Sequence, residues 1–170
     1  MAFFMVILRV IHIIGGVFWL GAGMMIVYYV GPTAQALGSD GQKFMAHILQ
    51  RTKYSLVIGA ASGLTLLSGL IMYVIIYNHL LARPNYNLGI TGGGLFGMAA
   101  FVIATTMIGR PMGKMKALLN EIEAAGGPPK PEQAAELEAL GATMNKGGNW
   151  AVVTGVIAMV GMASAQYLTF

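Results

Sequence analysis

Apolar residues gather in four runs, at about 3–30, 55–78, 88–109 and 149–169. Each reaches the roughly 20 residues that an α-helix needs to cross the hydrocarbon of a bilayer. Punctuation falls between them: Gly31-Pro32, Arg83-Pro84, Arg110-Pro111, and Gly147-Gly148-Asn149 ahead of the last run. The pattern predicts an all-α integral membrane protein, one membrane domain over 1–170, built as a four-transmembrane-helix bundle. The first run has Arg9 near its start and Ala34-Gln35-Ala36 after it, as a secretory signal would. It far exceeds the roughly 7–15 apolar residues of a signal core, so it is read as a retained helix.

The polar stretches differ from one another. Segment 31–54 is read as a loop, with His47 at the membrane interface. Segment 110–148 reads as a helical hairpin between helices 3 and 4. Leu118, Leu119 and Ile122 share one face, Gly126-Gly127-Pro128-Pro129 breaks the helix, and Pro131-Glu132 opens a second one through Ala134, Leu137 and Leu140.

Small residues predict how the spans pack. Gly59 and Gly63 form one small-xxx-small pair; Gly89, Gly93, Gly97, Ala100 and Ala104 make a longer row, and Gly161 with Ala165 a third. Such rows let backbones approach closely in lipid, and cofactor sites in bundles lie between facing helices. Gly92-Gly93-Gly94 lacks the lysine and the strand of a phosphate loop, and is read as close packing or a flexible entry to the third span.

Composition agrees. Hydrophobic residues make up 56% and charged residues 9%, against about 25% charged in soluble domains. Cysteine is absent, which removes disulfides, thiolate metal sites and a cysteine nucleophile together. The net charge of +4 comes from residues flanking the spans, which points to lipid headgroups and not to nucleic acid. Of ten basic residues, eight (Lys43, Arg51, Lys53, Arg110, Lys114, Lys116, Lys130, Lys146) lie in the two longer loops. Arg9 and Arg83 alone lie on the opposite side. The positive-inside bias then places both loops in the cytoplasm and both termini outside.

The spans contain no Asp or Glu, which excludes carboxylate relays and carboxylate metal sites within them. Ser55, Ser62, Thr65 and Ser68 have no base beside them in sequence and are read as hydrogen bonders within or between helices. His12 is the exception, because an ionisable residue inside the hydrocarbon marks a functional site by default. Gly16, Trp19 and Gly23 follow it at spacings of four, seven and eleven, within roughly 40° of one line down the helix. A heme between helices needs an imidazole, small residues, a wall and a cation for its propionates. His12, Gly16 and Gly23, Trp19 and Arg9 supply these. The alternative is a histidine hydrogen-bonded across a helix interface. A second axial ligand has two candidates, His79 and Met72. Among the 13 methionines, Met72, Met98, Met159 and Met162 fall near the depth of His12, where thioethers can ligate heme iron or Cu(I).

These residues carry a resemblance. RVIHIIGGVFWLGAG, with Arg9, His12, Trp19 and Gly21, resembles the first helix of the copper-resistance D-like membrane proteins, a broad group that includes the HemJ-type protoporphyrinogen oxidases. SGLTLLSGLIMY at 62–73 is similar to their second or third helix, and EAAGGPPKPEQAAELEALGA at 123–142 to the loop before their last. The resemblance implies heme b with His12 as ligand, and a redox or copper-related role in a bacterial inner membrane. HemJ-type enzymes carry a lysine inside a later helix; spans two to four here have no interior Lys or Arg, so the likeness does not extend to that reaction. Three readings follow: a heme-b electron-transfer protein or redox subunit of a larger membrane complex or homo-oligomer; a copper transport protein with methionines as relay; and a cofactor-free structural subunit.

Overall fold

A long apolar segment in lipid has no water to satisfy its backbone, so it must close its hydrogen bonds internally as a helix. The computed structural model describes residues 2–168, apart from the side chains of Leu49 and Gln50, and is helical nearly throughout, with no strand among the described residues. Four helices are long and apolar enough to cross a membrane: α1 (Ala2–Ala36), α3 (Tyr54–Leu81), α4 (Pro84–Ala125) and α5 (Pro131–Tyr167, its last turn a 3₁₀ turn over Ala165–Tyr167). A fifth, α2 (Ser39–Arg51), joins α1 to α3.

The apolar runs understate these helices. The 42 residues of α4 extend about 63 Å, twice the hydrocarbon thickness. The predicted hairpin is therefore the outward continuation of two spans. Its first arm, Arg110–Ala125, ends at Gly126, whose φ of 68° is the left-handed conformation that closes a helix. Its second starts at Pro131, where the Gln133 side chain accepts the Lys130 amide. Gly147-Gly148 does not break α5; both glycines are buried within it. The loop expected at 31–54 is also largely helical. Its polar residues concealed α2, which carries Asp40 in its first turn and Arg51 in its last, each favourable to the helix dipole.

Two interruptions widen the spans. Ile26–Val30 and Thr105–Gly109 are π turns, closed by Gly31 N–H to the Ile26 carbonyl and Arg110 N–H to the Thr105 carbonyl. Each comes just before a proline, Pro32 or Pro111. A proline ring would strike the carbonyl four residues back in a regular helix, and the wider turn relieves that clash.

The helices form two tight antiparallel pairs. In α4–α5 a Cβ on Gly89 would lie 2.7 Å from the Ala165 Cβ, and one on Gly93 would lie 2.9 Å from the Ala158 carbonyl. Gly161 in turn approaches the Gly93 Cα. The expected small-residue rows of these two helices thus do meet. The α1–α3 pair does not use Gly59 and Gly63, where an added Cβ would meet nothing within 4 Å. Its seam runs instead through Ala61, Thr65 and Gly69. The pairs join where Leu20 and Val27 of α1 press on Gly155 and Gly148 of α5. Buried apolar side chains are few and mostly small (Ala34, Ala100, Ala158, Ala165), while Ile13, Ile14, Val17, Leu67, Leu95 and Val160 face outward, as a lipid-facing surface requires.

Candidate functional site around His12

His12 turns onto α3. Its Nδ1 lies 2.8 Å from the Thr65 carbonyl oxygen. A carbonyl can only accept, so Nδ1 carries a proton and donates, and in a neutral ring this tautomer leaves the lone pair on Nε2. The Ser68 hydroxyl reaches the same carbonyl at 3.1 Å, while the Thr65 hydroxyl donates back to Ala61 at 2.8 Å. The imidazole rests on Gly69: a Cβ there would lie 2.7 Å from His12 Cε1 and 2.9 Å from Nδ1. Only glycine admits the ring in this seat. Every fully enclosed side-chain nitrogen or oxygen among the described residues has a hydrogen-bond partner. Nε2 has none, so it keeps accessible surface.

The other expected site residues fall in different places. Gly15, and not Gly16, makes the closest approach to α3: a Cβ on it would lie 2.6 Å from Thr65 Oγ1, whereas one on Gly16 would make an ordinary 3.5 Å contact. Gly23 has nothing within 4 Å of an added Cβ. Trp19 packs edge-on against Phe101 of α4, with ring centroids 6.4 Å apart, and so links the two helix pairs. Arg9 is exposed, one turn from His12, and neither ion pair among the described residues involves it.

The second-ligand candidates separate clearly. His79 lies ten residues beyond Gly69 on α3, about 15 Å along the axis, with its ring 6.0 Å from that of Tyr86. Two nitrogens on one metal ion lie within about 4 Å of each other. This arrangement therefore does not bring His79 to the metal that His12 would hold. Met72 is half-buried on the same face of α3 as Thr65, one turn past Gly69, and stays close. The depth-matched methionines form no inward row: Met98 and Met159 are exposed, and Met162 packs on Gly93. His47 is exposed on α2, at the far end of the bundle. Among the described residues no three His, Cys, Asp or Glu side chains gather at one place.

Two features escaped the sequence reading. Gly69 looked like one more small residue in an apolar span, since nothing in its own helix marks which residue of α1 lands on it. Tyr73 donates to Thr91 Oγ1 at 3.0 Å, and Thr91 donates to Asn87 Oδ1, making a polar link between α3 and α4 inside the apolar region. No family model, curated protein or solved structure matches the chain.

Proposed function

We propose that this chain is a heme-b-binding membrane protein that passes electrons, with Nε2 of His12 as an axial ligand. One observation carries the reading: His12 is fixed by its Nδ1–H bond to the Thr65 carbonyl while Nε2 has no hydrogen-bond partner among the described residues and stays accessible. Ligating histidines are held in this way, because a hydrogen bond at the second nitrogen sets the tautomer, fixes the ring and raises its basicity. The donor set thus fits one axial bond. When bound, heme supplies one-electron exchange at its iron.

The chain's own residues do the rest. Gly69 seats the ring and Thr65 orients it, which closes the α1–α3 seam at this level and leaves the Nε2 side for the macrocycle. Arg9 offers an unpaired cation one turn away for a propionate, while Gly16 and Gly23 keep the backbone bare and Trp19 gives an aromatic wall. Met72 is the remaining second-ligand candidate within the chain; a partner in a larger redox complex or a second copy is the other source. The basic residues orient the hairpin end toward the cytoplasm of a bacterial inner membrane.

The bond from His12 to Thr65 also favours a second reading, a cofactor-free subunit in which the histidine staples α1 to α3. Copper relay has less support, since it needs methionines at successive inward positions. An absorption spectrum of the detergent-purified protein, oxidised and then dithionite-reduced, separates the readings when paired with metal analysis. The expected result is a Soret band with sharp reduced α and β bands, lost in His12→Ala while helix content and elution volume hold. A colourless, iron-free protein from heme-replete cells, or full heme retention in His12→Ala, overturns the proposal.

A further inference from the structure

At the end of the bundle that holds the N-terminus, the α3–α4 turn and the 3₁₀ turn that ends α5 line an open cavity of about 610 Å³. Its polar lining comes from His79, Arg83, Asn85, Tyr86 and Gln166. The walls are pinned one turn deeper, where Gly89 lets α4 press onto Gly161 and Ala165.

The charged side chains of this end are all basic. All six acidic residues, Asp40 and Glu121 through Glu138, belong to the opposite end of the bundle. Arg83 is exposed and takes part in neither ion pair among the described residues. Beside it α4 opens at Pro84 with no side-chain cap, so the amides of Asn85 and Tyr86 begin the helix unpaired, at the positive end of its dipole. The side chains of Asn85, Tyr86 and Gln166 make no hydrogen bond within the described residues and can all donate. The cavity therefore combines a free guanidinium, the α4 N-terminus and several side-chain donors, beside the carbonyl ends of α3 and α5 and with no carboxylate of the described residues among them.

We infer that this cavity binds a phosphate anion, carried on the headgroup of an anionic phospholipid or free in solution. The guanidinium supplies the ion pair and the α4 amides with Asn85 and Gln166 supply hydrogen bonds to oxygens that only accept.

Native mass spectrometry of the intact protein released from detergent tests this with phosphatidylglycerol, phosphatidylcholine and inorganic phosphate as probes. Wild type is expected to retain phosphatidylglycerol over phosphatidylcholine. Arg83→Gln should lose that retention about tenfold or more. Lys116→Gln, which removes a cation of the hairpin arm, should keep it. Displacement of the lipid by excess inorganic phosphate would support a site satisfied by the anion alone; resistance to displacement would support the lipid headgroup as its source. Equal retention of the two lipids, or unchanged phosphatidylglycerol retention in an Arg83→Gln protein of wild-type helix content, would overturn the inference. Gln166→Leu provides a check independent of net charge, with a smaller loss expected.

Discussion

At the scale of single residues, the His12 site is a fit between one large side chain and one missing one. Gly69→Ala places a methyl group where the imidazole stands, so the ring must leave its seat or the helices must part. We expect a loss of about 1–3 kcal/mol in unfolding from detergent, with loss of the His12–Thr65 bond. Gly15→Ala meets the Thr65 hydroxyl in the same way, and a Thr65→Ala background should relieve part of its cost, which a double-mutant cycle in thermal unfolding would read. How much of this was legible beforehand follows from where the information lies. His12 stands out in its own helix because its chemistry is foreign to lipid. Gly69, Thr65 and Gly15 do not, because their roles depend on the register of α1 against α3, and local periodicity does not encode register. The same reason explains why Gly16 and Gly23, aligned with His12 on a helical wheel, do not make the closest contact.

At the scale of elements, four apolar runs were enough to foresee four long helices, and two of the three small-residue rows do serve as packing faces. The ends of the helices were harder to read, since hydropathy marks where lipid stops and not where hydrogen bonding stops. Gly147-Gly148-Asn149 resembled a break, yet the glycines clear space for Met107 and Val27, which carry the two π turns against α5. The α4–α5 seam offers a sharp test because its glycines alternate in environment. Gly93→Leu should lower the thermal midpoint strongly, since its Cβ would lie 2.8 Å from Met162 Cγ and 2.9 Å from a backbone carbonyl. Gly92→Leu and Gly94→Leu, where an added Cβ meets nothing within 4 Å, should stay near wild type. The Arg51–Glu123 pair, 3.2 Å long, ties α2 to the hairpin but is exposed on both sides; Glu123→Gln should change stability by no more than about 0.5 kcal/mol.

For the whole molecule, charge is distributed end to end: every acid and eight of ten bases lie toward the hairpin, and the other end keeps Arg9 and Arg83. The absence of native cysteine makes orientation directly measurable. Lys130→Cys should resist a membrane-impermeant maleimide in intact cells and react after lysis, whereas Asn78→Cys should react in both; the reverse pattern would invert the proposed topology. The two π turns carry a consequence for anyone aligning or grafting this chain. Each accommodates about one residue more than a regular helical turn, so it acts as a phase slip of about 100° between the membrane-embedded part of its helix and the arm beyond. A helical wheel drawn straight through Gly31-Pro32 or Arg110-Pro111 assigns the arm's faces one residue out of step. Replacing Pro111 with alanine while keeping Thr105–Gly109 at full length would let the segment wind as an unbroken α-helix and would turn Leu118 about 100° away from its buried position; removing one residue of the turn as well would bring Leu118 back.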